Sequence, residues 1–350
     1  MPAPRLLSLA TAVPPYVLEQ DEAKAIGRRA FTGRAALFER LSGVFDNADI
    51  ARRHLVASAE WYERHHGWAE RNRVYLEAAE ALFEEAALAA IERAGLTPAD
   101  IDGVVTVSTT GIATPSLEAR VGPRIGFRSN VRRIPMFGLG CAGGASGLAT
   151  AARLAATEPG SNWLMVAIET CSISIRLDSA DPAAIVATAL FGDGAAAAIV
   201  RAGDGGGLAR ISGSAEKLWP DTLGIMGWRV EDPGLAVVFD RAIPPFLESN
   251  LREGLDAILN GLGLSFADVD RLCSHPGGAK VLTAMESALG LQTGTLDIER
   301  AVLREHGNMS APTVLFVLQR LLERGLPSRT LMTALGPGFT LAALSLKRPA

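Results

Sequence analysis

Apolar residues in this chain gather into short, nearly solid runs rather than alternating with polar ones. Leu6 to Val13, Val104 to Val107, Trp163 to Ile168, Ala195 to Val200, Leu331 to Leu335 and Phe339 to Leu346 are of this kind. Runs of that length predict strands buried on both faces. Ser146 to Ala156 and Thr313 to Glu323 have helical character and lie between such runs. Strands packed between helices, an α/β class, are therefore expected. The segment at about 19–93 differs, being mostly helical with Trp61, Tyr62, Trp68 and Tyr75 set among many charges. It reads as a helical insertion that caps an entrance.

Two stretches of the pattern repeat. Gly95-Leu96-Thr97-Pro98-Ala99-Asp100-Ile101-Asp102 resembles Gly263-Leu264-Ser265-Phe266-Ala267-Asp268-Val269-Asp270, each with a helical run before it and a β-rich stretch after it. Further on, Gly192-Asp193-Gly194 enters one apolar run and Gly336-Pro337-Gly338 enters another. Two matched pairs in the same order imply a duplication. The halves are drawn at residues 1–210 and 211–350, with Gly203 to Gly207 as a turn before the boundary and Ile211 to Asp240 as irregular hairpins after it.

Composition narrows the functions open to such a fold. With 350 residues the chain exceeds a usual single core. A net charge of −4 and a pI near 5.8 leave no electrostatic footprint for nucleic acid or an anionic membrane. Small molecules are the expected ligands, held by local groups. No apolar stretch reaches the ~18 residues needed to span a bilayer. Arg5 before Leu6 to Val13 imitates a secretion signal, but the run ends in Pro14-Pro15 and reads as a first strand. The three cysteines, Cys141, Cys171 and Cys273, include no C-x-x-C, so neither a disulfide framework nor a zinc site is expected. A reducing, cytoplasmic compartment follows, with no metal or redox cofactor.

The duplication also sets Cys141 and Asn308 at matching places, each before the helix of its half. Cys141 lies in Phe137-Gly138-Leu139-Gly140-Cys141-Ala142-Gly143-Gly144, where glycines permit a strained elbow. A helix N-terminus there would lower the thiol pKa from ~8.5 into the 3.5–7.5 range. His275 ends a strand in Cys273-Ser274-His275-Pro276-Gly277-Gly278, and Asn308, whose plainer reading is an N-cap, sits in Gly307-Asn308-Met309-Ser310. A thiolate that captures an acyl group, beside a His and an amide that stabilise a thioester enolate, amounts to a decarboxylative condensing enzyme. Other readings use the same residues. Gly138-x-Gly140-x-x-Gly143 fits a dinucleotide loop, yet no acid ends a second strand ~20 residues on. Cys, His and Asn in this order suit a papain-like hydrolase, but that family's flanking Cys motif is missing. Cys273 is expected to be a core residue, and His65 and His66 to face solvent.

Gly140-Cys141-Ala142-Gly143-Gly144, Phe191-Gly192-Asp193-Gly194-Ala195, His275-Pro276-Gly277-Gly278, Gly307-Asn308-Met309-Ser310 and Gly336-Pro337-Gly338 together resemble the type III polyketide synthases of the chalcone synthase-like kind. The resemblance implies a thiolase fold with duplicated halves in five αβαβα layers, a homodimer, free acyl-CoA and malonyl-CoA as substrates, and no cofactor. It implies that Cys141, His275 and Asn308 are catalytic and that Phe191 is a gatekeeper. Cys171, Ser174, Gly227 and Ser310 would shape the cavity, and Thr114 would reach the partner's cavity. Arg40, Gly277 and Lys280 would meet CoA. Arg52 and Arg53 could meet a CoA phosphate, although an exposed pair of arginines is the default expectation. A second gatekeeper phenylalanine is expected near Leu235 to Val238, where this chain is aliphatic, so the cavity should be open on that side. With Gly227 that opening favours a fatty acyl starter cyclised to pyrone or resorcinol products. Chalcone- or stilbene-type synthesis, tetrahydroxynaphthalene-type synthesis and a single-step condensation like that of β-ketoacyl synthase III are the alternatives.

Overall fold

The computed structural model describes residues 2–31, 35–176 and 181–349. Its strands are β1 (Pro4–Ala12), β2 (Tyr16–Glu19), β3 (Arg52–Leu55), β4 (Gly103–Val107), β5 (Arg132–Met136), β6 (Asn162–Thr170), β7 (Asp193–Ala202), β8 (Ala209–Leu218), β9 (Met226–Glu231), β10 (Gly234–Phe239), β11 (Arg271–Ser274), β12 (Arg329–Gly336) and β13 (Thr340–Lys347). The helices are α1 (Gln20–Ala30), α2 (Ala35–Leu41), α3 (Gly43–Asp46), α4 (Ala59–Tyr62), α5 (Trp68–Arg93), α6 (Leu117–Ile125), α7 (Gly143–Thr157), α8 (Pro182–Leu190), α9 (Ile243–Gly261), α10 (Ala279–Ala288), α11 (Asp297–His306) and α12 (Thr313–Arg324).

The solid apolar runs are strands covered on both sides. In β6, Trp163, Met165 and Ala167 enter one core while Leu164, Val166 and Ile168 enter another. In β13, Ala342, Leu344 and Leu346 share the first core, and Leu341 and Ala343 enter a third. Strand alternation thus sorts one continuous run onto two faces. The shared core holds α7 and α12 between the strands of the two halves. α5 and α6 cover the outer face of one half, and α9 and α10 that of the other. Five layers, αβαβα, result. α7 fits between two sheets because it is built from small residues such as Ala145, Ala149 and Ala152, all buried.

Sheet order displays the duplication. The strands run β11-β12-β13-β8-β1-β7-β6-β4-β5, so β11, β12, β13 and β8 mirror β4, β6, β7 and β1. Pairing sense matches too: β4–β6 and β11–β12 are parallel, while β6–β7 and β12–β13 are antiparallel. The half-sheets meet only at a corner, where β1 and β8 pair through Arg5↔Arg210 and Leu6↔Ala209.

The insertion needs a correction. Helix α5, which closes the 19–93 stretch, packs on β1, β6 and β7 and stands where α9 stands in the second half. The added segment therefore ends before Trp68, and besides helices it contains β3, which pairs antiparallel with β2. Tyr62 and Tyr75 are buried rather than set over an entrance, and His66 is buried in a stack on Trp61 at 4.0 Å.

Candidate active site

Cys141 lies in a single helical turn, Gly140–Ala142, that runs directly into α7. Gly140 adopts φ +47, and a Cβ there would meet Pro337 Cδ at 2.7 Å, so the elbow closes only with glycine. His275 follows β11, still tied to β12 by its N–H to Thr333 O at 2.8 Å. The chain leaves the sheet at Pro276, and α10 starts at Ala279. Asn308 bridges to Phe191, with Asn308 N donating to Leu190 O at 2.8 Å and Gly192 N donating to Asn308 O at 3.1 Å. It is no N-cap, because α12 begins only at Thr313 after a turn through Ser310 at φ +58.

Asn308 has a dictated orientation. Its Oδ1 accepts from Ser310 N at 2.8 Å and its Nδ2 donates to Gly277 O at 3.1 Å, so an exchanged amide would lose both bonds. Cys141 Sγ lies 4.0 Å from Asn308 Oδ1. Neither ring nitrogen of His275 has a protein partner, though the residue is only 5% exposed. Burial pushes the Cys141 thiol up to about 12 and pulls His275 down to about 3. Burial thus opposes the acidic thiol expected at a helix N-terminus, and hydrogen bonding with Ser310 and Asn308 offsets only part of that desolvation. At rest both groups are neutral.

All three side chains line one cavity of about 440 Å³, with apolar walls from Val186, Leu190, Met226, Phe239 and Leu335. Arg40, Gly277 and Lys280 line it too, as do Val44, Asn47 and Ala48 of the inserted segment. Part of that segment therefore borders an entrance, through α2 and α3 rather than the aromatic residues named above. Behind the sulfur lies a second space of about 30 Å³, lined by Cys141, Cys171, Phe191, Gly227, Phe239 and Ser310 among others. Ser174 is not in its wall; it faces a separate recess beside Trp68 and Arg71, and its hydroxyl donates to Cys171 O at 2.6 Å. Thr114 is exposed and lines neither space. Cys273 is a core residue, 0% exposed. Arg53 also departs from expectation: it is 0% exposed and absent from both linings, so it is no CoA contact.

Two features escaped the sequence. Phe239 occupies the side expected to be open, its ring 5.6 Å from that of Phe191, with Trp228 5.8 Å away on the other flank. Pairing of β10 with β9 sets Phe239 opposite Met226, one residue beyond the aliphatic stretch Leu235 to Val238. Glu169, at the end of β6, accepts from Thr109 N at 2.9 Å and Thr110 Oγ1 at 2.8 Å, while its Oε1 has no partner. Burial raises its carboxyl to about 8, and a charge there would further raise Cys141. A lone Glu in an apolar run was the available signal. Among the described residues, no group of three or more His, Cys, Asp or Glu could hold a metal ion.

Comparison with known proteins agrees with this geometry. Residues 3–204 match the family model for the N-terminal domain of chalcone and stilbene synthases, and residues 210–348 match that for the C-terminal domain. A 1,3,6,8-tetrahydroxynaphthalene synthase of Streptomyces peucetius subsp. caesius is 37% identical over 94% of this chain and 89% of its own. The crystal structure of the Streptomyces coelicolor A3(2) 1,3,6,8-tetrahydroxynaphthalene synthase, a bacterial type III polyketide synthase, superposes with a TM-score of 0.93 at 30% identity, covering 99% of each chain. The type III domain of Steely1 from Dictyostelium gives 0.93 at 26% identity, covering 99% of this chain and 100% of that domain. The duplicated five-layer fold, the cavity that gathers Cys, His and Asn, and these full-length matches make the chain a member of the chalcone synthase-like family of type III polyketide synthases, acyltransferases of the condensing kind.

Proposed function

We propose that the chain loads an acyl group on Cys141 and extends it with malonyl units at His275 and Asn308. The observation that carries this is the cavity in which an oriented amide, an unpartnered imidazole and a thiol share one wall. His275 takes the thiol proton, the resulting thiolate attacks the acyl-CoA carbonyl, and the CoA thiolate leaves with that proton. Malonyl-CoA then loses carbon dioxide, and the charge left on its thioester oxygen is held by N–H donors of His275 and Asn308. The enolate carbon bonds to the acyl carbon, and the Cys141 sulfur leaves as thiolate. No metal or redox cofactor enters these steps. Repetition and cyclisation complete the reading; a tetrahydroxynaphthalene, for which three relatives are named, is one outcome.

Arg40, Gly277 and Lys280 are the positions where CoA would enter. The starter reading changes with Phe239. A fatty acyl starter drew its support from an open aliphatic wall, whereas about 30 Å³ behind the sulfur admits only one or two water-sized groups. A short acyl starter is therefore the better fit. We also infer a homodimer in the cytoplasm. Ile112, Ile134 and Phe137 are exposed beside the edge strand β5, a surface a second copy would cover, and the cysteines are free thiols. Sedimentation velocity reads the oligomeric state directly.

Intact-protein mass after incubation with a panel of acyl-CoAs tests the central assignment. A covalent acyl adduct should form on the wild type, most readily with short chains, and be absent from Cys141→Ala. That variant should still release carbon dioxide from malonyl-CoA. Normal polyketide yield from Cys141→Ala would sink the reading.

A further inference from the structure

Arg53, in the middle of β3, is the largest fully buried side chain of the described residues, and none of its three guanidinium nitrogens has a hydrogen-bond partner. Burial lowers it only to about 10, opposed chiefly by the charge of Asp193, so it remains a cation at neutral pH. A buried cation without hydrogen bonds is an arrangement that proteins rarely tolerate without a use for it.

Its surroundings suggest the use. Two turns cross over the Arg53 Cβ: a Cβ on Gly192 would lie 3.2 Å from it and one on Gly307 3.5 Å. The same added carbons would meet His306 O at 2.3 Å and Leu190 O at 2.8 Å, so the turns are pressed against each other with no room for a side chain. One turn directly follows Phe191 and the other directly precedes Asn308, the two residues joined by the bridge described above. The residues flanking β3 are tied to the same two segments. Ala51 N donates to Arg304 O at 2.7 Å, on the helix that leads to Asn308, and Val56 N donates to Asp193 Oδ2 at 2.8 Å, on the strand that follows Phe191. Asp193 also accepts from the backbone N–H and the hydroxyl of Ser172.

We propose that Arg53 is a positioning residue: packed at its Cβ against the crossing of these turns, on a strand tied at its two ends to Arg304 and Asp193, it fixes where Phe191 and Asn308 stand at the cavity. It lines neither cavity and so touches no substrate. The Cys141 turn is anchored elsewhere, by Pro337 and by Gly140 N to Thr109 Oγ1 at 3.3 Å. Loss of Arg53 should therefore harm malonyl decarboxylation, which needs Asn308, far more than acyl capture, which needs the sulfur. The inference rests on the roles given above to Cys141 and Asn308.

The test compares wild type, Arg53→Met and Arg53→Lys by two readouts, acyl transfer to Cys141 by intact mass and acetyl-CoA formation from malonyl-CoA per acylatable site. Arg53→Met is expected to lower decarboxylation about tenfold or more at near-normal loading, and Arg53→Lys to restore part of it, since displacement by a fraction of an ångström is enough to slow an oriented step by such factors. A purely structural role would lower the thermal midpoint and reduce both readouts in proportion, and that result, or an unchanged ratio in either soluble variant, overturns the proposal. If Arg53→Met does not fold, the ratio in Arg53→Lys decides alone. Absence of acyl loading on the wild type would instead overturn the functional reading beneath it.

Discussion

Cys141 and His275 are each kept neutral by burial, so on the proposed mechanism a proton passes between them as the acyl group arrives, in place of a standing ion pair. The roles of the two polar partners then differ. His275 serves both capture and enolate formation, whereas Asn308 serves chiefly the enolate. Asn308→Ala should lower malonyl decarboxylation by roughly 10²–10³ while leaving acyl loading near normal, the usual effect of removing one oxyanion donor. His275→Ala should depress both steps. Single-turnover loading and decarboxylation, measured on each variant, check this; equal losses in both steps for Asn308→Ala would show that the amide also aids the thiol.

Secondary-structure elements show why part of the site was legible and part was not. Phe191, Phe239 and Trp228 form the wall behind the sulfur, and Phe239→Ala should shift the preferred starter toward longer chains in a competition of acyl-CoAs. An unchanged profile would mean that the starter does not use this space. The repeated octets were readable because they encode a local device. Asp100 Oδ2 accepts from Thr97 N and Oγ1 at 2.7 Å, Asp268 Oδ2 accepts from Ser265 N and Oγ at 2.8 Å, and Gly95 and Gly263 share φ +67. Cap, acid and glycine lie within a few residues of one another, so spacing alone reveals them. Arg53 and Phe239 depend on partners far away in the chain. Arginine on a polar stretch reads as surface, and only the fold shows that it is buried with two crossing turns packed on its Cβ. Phe239 was missed by one residue, because hairpin register rather than composition decides which side chain faces the cavity.

At the scale of the whole molecule, buried titratable groups give stability an asymmetric pH dependence. Burial raises Glu169 to about 8 and Asp193 and Glu299 to about 7, so the stability these groups contribute is present below the ordinary carboxyl range and is lost as pH rises to 7–8. His275 and His306, drawn down to about 3 and about 4, act oppositely; their contribution is present above ~6.5 and is lost as pH falls toward those values. The two effects oppose each other in mildly acidic solution, and above ~6.5, of these five groups, the three acids alone go on titrating. The thermal midpoint should therefore fall between pH 6.5 and 8.5, by the equivalent of roughly 1–3 kcal/mol. Scanning calorimetry across that range checks the sign, and the decline should shrink in Glu169→Gln.

The corner at which β1 meets β8 gives the duplication a chemical meaning. Cys141 belongs to one copy of the ancestral unit, and His275 and Asn308 belong to the other. Under the roles proposed, one copy has become the holder of the electrophile and the other the source of the carbanion, so the new carbon–carbon bond forms across an axis of internal symmetry. Each copy can then diverge under its own selection: one half can accept a new starter while the other goes on generating the same nucleophile.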